Sequence, residues 1–227
     1  MEVIRLTEKN STDCVVKAVE VLQRGGVVLY PTDTLYGLGA DAFSNVAVDT
    51  IYAIKGREEG KPIHCIVADM VMAERYAEVD SRARALAKRF LPGPLTLVLS
   101  AKGGSASSSG GRSSFGGGGK KKHNTGIARE MNTIGIRVPK SDFCLEMVRM
   151  FRKPITTTSA NVSGKTSERT VEKILSQLGQ AAQSIDLVID AGELPESTPS
   201  TVVDLSDEEP VILREGAITS VEIFDTI

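Results

Sequence analysis

The chain of 227 residues carries 27 basic and 29 acidic side chains and a formal net charge of -2, so no whole-molecule attraction to nucleic acid is implied. Its hydrophobic content of 41% supports a real core, and its three widely spaced cysteines, without a Cys-x-x-Cys pair, argue against a disulfide framework or a zinc site. Charges close to the start, and the lack of any apolar run of transmembrane length, lead us to expect a cytoplasmic protein with no membrane partner.

The predicted elements mix strands and helices, and several strands follow one another directly. The apolar patterns predict strands at residues 27–30, 63–68, 95–99, 133–139, 154–158, 187–190, 201–205 and 211–214. They predict a first helix capped by Ser11 or Thr12, and further helices at about 46–54, 70–77, 81–90, 142–151 and 167–178. This order is not a clean β-α-β alternation. It predicts one α/β domain over residues 1–227, with a mixed, twisted sheet flanked by helices.

The segment at about residues 101–122 differs in composition from the rest of the chain, because it is almost entirely glycine and serine with a basic end. Such a segment cannot bury enough apolar surface to offset its chain entropy. We therefore predict a flexible insertion between two strands, not a domain boundary. We expect deletion of residues 103–119 to leave activity largely unchanged.

A turn rich in hydroxyl groups follows the first predicted strand. It contains Thr32, Asp33 and Thr34 and then reaches two glycines, Gly37 and Gly39, where we predict that the turn closes. The carboxyl end of a strand is where α/β proteins bind ligands, so these side chains are candidates for a polar site. The same threonines could instead cap the next helix, and spacing alone does not decide between the two.

Two further clusters combine cations with small polar groups. Lys55, Arg57 and Lys61 lie within seven residues, and such cations either bind phosphate or form a solvated face. Residues 156–164 form a dense row of hydroxyl and amide groups that includes Ser159 and Asn161, where a plain turn into a helix is the alternative.

A fourth cluster lies near the end of the chain. Ser200 precedes one predicted strand and Arg214 ends the last one. The arginine could close on a phosphate, and the alternative is a weak surface ion pair with Glu215 or Asp204.

Several familiar signals are missing. GGGGKKK at residues 116–122 lacks the P-loop pattern, and neither GxGxxG nor GxSxG occurs. His64 and Cys65 are adjacent in a predicted strand, so their side chains point to opposite faces and do not readily share a metal. What remains is a site of cations and hydroxyls without a nucleophile. Such a site suits reactions in which the protein positions substrates and offsets charge, as in nucleotidyl transfer from ATP.

Seven motifs occur together and in order, namely PTDTLYGLG, KGR followed by Lys61-Pro62, LPGPLTLVL, IGIRVP, TTSANVSG, STVVDL and LREG. Over about residues 12–216 they resemble the YrdC/Sua5 family, whose best-known members are threonylcarbamoyl-AMP synthases. The resemblance implies a short, single-domain protein with a mixed α/β sheet around a positively charged cavity. It implies a nucleotidyltransferase that converts L-threonine, bicarbonate and ATP to threonylcarbamoyl-AMP and pyrophosphate, for the threonylcarbamoyl modification of a tRNA adenosine (t6A).

The resemblance also implies roles for individual residues. Lys55 and Arg57 would be catalytic, and substitution of either by alanine should cut adenylate formation by orders of magnitude with the fold intact. The threonine pocket would be lined by Thr32, Thr34, Arg137 and Ser200. The nucleotide would be bound by Lys55, Arg57, Lys61, Ser159, Asn161 and Arg214. Mg²⁺ would arrive with ATP, held mostly by substrate oxygens and water, because no carboxylate cage is visible in the sequence.

Two alternatives stay open at this point. One is a YrdC-like paralogue that binds RNA or nucleotide without synthase activity. The other is the carbamoyl-adenylate-forming domain of hydrogenase maturation proteins, which normally sits in a longer chain with zinc-finger motifs. Binding of tRNA or double-stranded RNA is compatible with either reading and would be salt-sensitive. A synthase would also hand its product to a downstream threonylcarbamoyl transferase.

Overall fold

The computed structural model describes residues 1–58, 61–102, 125–128 and 132–227. The predicted Gly/Ser insertion lies outside the described residues, apart from Ala101 and Lys102. Among the described residues, no helix combines the length and apolar character needed to cross a membrane.

The described strands form one mixed sheet. They are β1 Glu2–Arg5, β2 Val28–Pro31, β3 Tyr36–Gly39, β4 His64–Ile66, β5 Leu95–Ser100, β6 Thr133–Arg137, β7 Ile155–Ser159, β8 Leu187–Asp190, β9 Thr201–Asp204 and β10 Val211–Arg214. Their order across the sheet is β1-β8-β2-β3-β7-β4-β6-β5-β9-β10. Parallel pairs such as β4 with β6 occur in the same sheet as antiparallel pairs such as β4 with β7, so the prediction of a mixed sheet is confirmed.

Two strands were not predicted. β1 was missed because its apolar and polar residues alternate only weakly and it carries charged side chains. Such a composition is compatible with an edge strand, and among the described residues β1 pairs only with β8. β3 corrects the prediction of a turn that closes on Gly37 and Gly39, because both glycines lie in a buried strand paired with β2. A Cβ on Gly39 would lie 2.6 Å from the Tyr30 ring, so the glycine allows that ring to cross the strand.

The helices each bury apolar residues in the core. They are α1 Ser11–Gln23, α2 Asn45–Lys55, α3 Met70–Ala73, α4 Ser81–Phe90, α5 Asp142–Phe151, α6 Val171–Leu178 and α7 Ser220–Phe224. Three bounds differ from the prediction. The N-cap of α1 is Asn10 rather than Ser11 or Thr12, α3 ends early at Ala73, and α6 begins four residues late, after Thr170, whose hydroxyl accepts from the Lys173 amide.

Burial of helical side chains follows the predicted faces. In α5, Phe143, Met147 and Phe151 are buried, whereas Met150 is 39% exposed, so the last core position of that helix belongs to Phe151. Each such side chain contributes about 1.5–3 kcal/mol when it leaves water. α5 packs against α1. The strands β7, β4, β6, β5 and β9 are neighbours in the sheet and form a floor on which a site can be built.

Candidate functional site

A cavity of about 250 Å³ opens over this floor. In the described part of the chain, six strands, three loop segments and the turn between β2 and β3 contribute residues to it. Its lining consists of Thr32, Thr34, Leu35, Tyr36, Gly37, Arg57, Pro62, His64, Thr96, Arg137, Thr157, Thr158, Ser159, Ser167, Pro199, Ser200 and Arg214. The charged residues in this lining are three arginines, and it contains no carboxylate. The predicted positive charge of the whole cavity nevertheless stays a prediction, because one of the arginines is paired with an aspartate behind the wall.

The turn between β2 and β3 is shaped by its first threonine. The Thr32 hydroxyl accepts from the amides of Thr34 and Leu35, both at 3.1 Å, and donates to the Leu35 carbonyl at 2.7 Å. The two threonine hydroxyl oxygens lie 3.2 Å apart. Local hydrogen bonds thus hold the turn, and both hydroxyls still border the cavity. The alternative of capping the next helix is not what the structure shows, since β3 follows the turn and Ser44 caps α2.

Arg137 ties this turn to the floor. It donates to the Asp33 carboxylate at 2.8 Å, to the Thr34 hydroxyl at 3.0 Å and to the Gly93 carbonyl at 3.1 Å. Asp33 also accepts from the Lys140 amide at 3.0 Å. The Arg137 and Asp33 side chains are only 6% and 12% exposed, so this is a buried ion pair with most of its hydrogen-bonding capacity used. We call Thr32, Thr34 and Arg137 the threonine-turn side of the cavity.

Ser200 and Arg214 meet at another edge of the cavity. Arg214 donates to the Ser200 carbonyl through Nε at 3.0 Å and Nη2 at 2.8 Å, and to its hydroxyl at 3.1 Å. The Ser200 and Thr96 hydroxyl oxygens lie 3.2 Å apart. Burial, and then repulsion from Arg137, lowers the pKa of Arg214. The surface ion pair considered for Arg214 does not form among the described residues, and Nη1 has no described partner.

Arg57 lines the cavity next to β4. Its Nη2 atom donates to the Pro62 carbonyl at 2.9 Å, while its Nε atom is buried and has no partner among the described residues. An unpaired buried donor is costly unless a ligand satisfies it. We call Arg57, His64 and Arg214 the arginine side of the cavity.

Lys55 lies behind the cavity wall, outside its lining. Its side chain is fully buried, and its ammonium donates to the Ser159 carbonyl, to the Asn161 carbonyl at 2.9 Å and to the Asn161 amide oxygen at 2.9 Å. All three N–H donors are therefore used. Burial, and then repulsion from Arg57, lowers the pKa of Lys55 to about 8. The KGR and TTSANVSG motifs therefore meet through a lysine that holds a turn.

That turn presents one of its two predicted residues to the cavity. The Ser159 hydroxyl donates to the Asn161 side-chain oxygen at 2.6 Å and borders the cavity. Asn161 is buried and also donates to the Lys165 carbonyl. The Ser163 amide donates back to the Lys55 carbonyl at 2.8 Å. Asn161 thus connects the lysine, the serine and the following loop, and it lies outside the lining.

Lys61 also lies outside the lining of the cavity. Its side chain is about half exposed and pairs with Glu58 at 3.0 Å. Its carbonyl accepts from the Tyr52 hydroxyl at 2.7 Å. The roles assigned from the resemblance to Lys55, Lys61 and Asn161 as ligand contacts therefore stay predictions, since the ligand-free geometry places none of the three on the cavity surface.

Sequence reasoning missed three residues of the site. His64 was weighed only as a metal ligand, yet strand alternation puts it on the cavity face, opposite to the buried Cys65. Thr96 lies in an apolar predicted strand and was not assigned to the site. Asp33 was noted only as part of a turn, and its pairing with Arg137, 104 residues away, has no local signal.

The arrangement can hold a small polar ligand against hydroxyls on one side and an anion against arginines on the other. The described residues contain no group of three or more histidine, cysteine, aspartate or glutamate side chains able to hold a metal ion. They do not supply a protein cage for Mg²⁺.

Comparison with known proteins gives a consistent result. A family model of the Sua5, YciO and YrdC proteins, described as "Telomere recombination", matches residues 20–216. A Methanocaldococcus jannaschii relative is 35% identical over 96% of this chain and 94% of its own length. The threonylcarbamoyl-AMP synthase of Pyrococcus abyssi is 34% identical over 91% of this chain. The crystal structure of P. abyssi Sua5 complexed with L-threonine superposes with a TM-score of 0.80 at 30% identity and covers the whole chain.

The two P. abyssi comparisons involve longer proteins. The chain spans 55% of that synthase and 60% of the Sua5 structure. The match nevertheless includes the strands, the turn and the loops that build the cavity. On the extent of the family-model match and the near full-length relative, the chain belongs to the Sua5/YciO/YrdC family.

Proposed function

We propose that this chain is a threonylcarbamoyl-AMP synthase that combines L-threonine, bicarbonate and ATP. The observation that carries the proposal is the pairing of two unlike sides in one cavity. The threonine-turn side offers hydroxyls that are already fixed, and the arginine side has guanidinium N–H groups without partners among the described residues. The name of the P. abyssi relative and the threonine bound to the P. abyssi structure support the same assignment.

The threonine-turn side is suited to the amino acid. The Thr32 hydroxyl is fully used in holding the turn, whereas the Thr34 hydroxyl can still accept from an ammonium or pair with a hydroxyl. Arg137 has two N–H groups beyond the three it uses. Ser200, at the other edge, presents a further hydroxyl. Because these groups are positioned before binding, little ordering is needed when threonine enters.

The arginine side is suited to phosphates. Arg57 and Arg214 can donate paired hydrogen bonds to phosphate oxygens, and the Ser159 hydroxyl borders the same space. In the proposed reaction, the threonine amine takes up bicarbonate to form a carbamate and water. A carbamate oxygen then attacks the α-phosphorus of ATP, and pyrophosphate leaves. The two arginines offset the charge that develops on the phosphates.

Lys55 has a different part in this proposal. Its ammonium holds the Ser159–Asn161 turn in place, and the serine then faces the nucleotide. Mg²⁺ enters with ATP on the phosphate oxygens, since the described residues supply no metal cage.

The proposal is tested by incubating the full chain with ATP, L-threonine and bicarbonate, and omitting each in turn. We expect threonylcarbamoyl-AMP and pyrophosphate only when all three are present. Hydrolysis of ATP that ignores threonine would contradict the synthase assignment. Binding of nucleotide or RNA with no adenylate formed would instead favour the paralogue that lacks synthase activity.

The wider role follows from the product. We propose that threonylcarbamoyl-AMP passes to a threonylcarbamoyl transferase that modifies tRNA, and that this takes place in the cytoplasm. Direct contact with tRNA or double-stranded RNA is a separate part of the proposal. It is checked by measuring tRNA binding at increasing salt, and affinity that does not fall with salt would argue against contact through the arginines.

A further inference from the structure

His64 lines the cavity from the floor. It begins the central strand β4, where it pairs with Thr157 of β7 and adjoins Gly135 of β6. A Cβ placed on Gly135 would lie 2.3 Å from the imidazole Cδ2 atom. The ring therefore fills space that any other residue at position 135 would need, and this local geometry directs it into the cavity.

The charged residues that share the cavity with His64 are all arginines, namely Arg57 after α2, Arg137 on β6 and Arg214 on β10. The lining residues from β5, β7 and the loop before β9 are uncharged. The carboxylate of Asp33 is paired with Arg137. Neither imidazole nitrogen has a hydrogen-bond partner within the described residues. His64 is thus a half-buried, unpaired imidazole with cations on its open side.

This setting keeps the imidazole neutral while the cavity is empty. Burial, and then repulsion from Arg214 and Arg57, lowers the pKa of His64 to about 4. A phosphate against those two arginines reverses the sign of the nearest charge, and an opposite charge within about 4–6 Å favours the protonated form. The same ligand would offer oxygens that an imidazolium can donate to.

We propose that His64 contacts the phosphate ligand and takes up a proton from solvent when a diphosphate or triphosphate group binds against Arg57 and Arg214. The imidazolium then donates a hydrogen bond to a phosphate oxygen, and the proton returns to solvent when the anion leaves. The only bond that forms is the imidazolium N–H bond, to a proton supplied by solvent, and it breaks when that proton returns to solvent. The inference rests on the proposed function, because that function places phosphates on the arginine side.

Imidazole NMR tests proton uptake directly. The chain has two histidines, so comparison of the wild type with His64→Gln assigns the His64 signals. We expect the pKa of His64 to lie near 4 in the free protein and to rise by about two units or more with saturating inorganic pyrophosphate. An unchanged pKa in protein that has bound pyrophosphate would overturn the inference.

Binding measurements give a second, independent test. Pyrophosphate itself titrates, so the informative quantity is the ratio of the Kd of His64→Gln to that of the wild type at each pH. Between the two pKa values of His64, we expect this ratio to rise about tenfold for each unit that the pH falls. His64→Asn should behave like His64→Gln.

The two possible failures are distinguishable. A wild-type protein that binds pyrophosphate with a pH-independent Kd ratio contradicts the role of His64 alone. A wild-type protein that does not bind pyrophosphate at any of these pH values contradicts the phosphate site of the proposed function, and the inference is lost with it.

Discussion

The two sides of the cavity differ in how completely their polar atoms are paired before any ligand arrives. On the threonine-turn side, Arg137 donates to Asp33, Thr34 and a backbone carbonyl. On the arginine side, the buried Arg57 Nε and the His64 ring have no partner among the described residues. Most polar atoms of the first side are paired in the folded chain, whereas the second side keeps more of its donors for a ligand.

This difference separates stability from binding. A group that is already paired contributes to folding, so its removal leaves its partner buried and unsatisfied. Removal of a group that has no partner in the folded chain changes the free energy of unfolding little. It removes that group's whole contribution to the free energy of ligand binding. Substitution of a group that is paired in the folded chain should therefore lower stability, and substitution of a group that keeps free hydrogen-bonding capacity should weaken ligand binding.

The largest effect is expected for Arg137→Ala. It leaves the nearly buried Asp33 carboxylate without its cation, which costs about 3–5 kcal/mol of unfolding free energy. Urea denaturation measures it. The matched control is Arg5→Ala, which breaks an exposed pair with Asp190 and should cost less than about 1 kcal/mol. Equal losses in both variants would show that the Arg137–Asp33 pair behaves like an exposed ion pair.

Arg57→Ala should affect turnover in place of stability. We expect pyrophosphate release to fall about 100-fold, equivalent to roughly 2.7 kcal/mol of transition-state stabilisation. Unfolding free energy should change by less than about 1 kcal/mol, because the described partner of Arg57 is one carbonyl. Arg84→Ala, at an exposed pair with Glu74, is the control and should change neither quantity. Undiminished turnover in Arg57→Ala would remove Arg57 from the proposed mechanism.

Lys55→Met tests whether this lysine acts on the turn or on the ligand. Three acceptors on Ser159 and Asn161 lose their donor, which we expect to cost about 2 kcal/mol after the relief of a buried charge. This revises the expectation from sequence that a Lys55 substitution leaves the fold intact. Lost activity at unchanged stability would indicate that the ammonium reaches the substrate.

A smaller effect on the free energy of unfolding is expected when acid protonates His64. Its folded pKa, about 4, lies below the ordinary value of 6.5, so the unfolded chain binds the proton first and stability falls as the pH falls through this window. We expect the wild type to lose about 2 kcal/mol more than His64→Gln between pH 7 and about pH 4, discounted for solvent at the cavity mouth. Contributions from carboxylates cancel in the difference. Parallel curves would show that His64 is not held neutral by the fold.

Much of the fold could be predicted because its strands and helices carry strong apolar patterns. β8 and β10, and the helices α4 and α5, begin and end where the periodicity places them. β3 was missed because its two glycines are typical of a turn, whereas here they make room for Tyr30, which lies on a neighbouring strand. A packing contact between two strands produces no pattern in the local sequence from which it could be predicted.

For the site, residue type predicted which side chains would gather but not which would face the cavity. Arg57, Ser159 and Arg214 line it, as expected of cations and hydroxyls at strand ends. Lys55 and Lys61 looked equally cationic in sequence, yet one is buried against carbonyls and the other is half exposed beside Glu58. Helical phase and the path of the chain after α2 decide this, and neither is readable from charge alone.

The division of the cavity into a threonine-turn side and an arginine side is tested most directly by calorimetry with separate ligands. ATP and L-threonine are titrated into the wild type, Arg57→Ala and Thr34→Val, with Thr34→Ser as the variant that keeps the hydroxyl. We expect Arg57→Ala to weaken ATP binding by about tenfold or more and to spare threonine, and Thr34→Val to do the reverse. Loss of both ligands to the same degree in both variants, or of neither, would contradict the division.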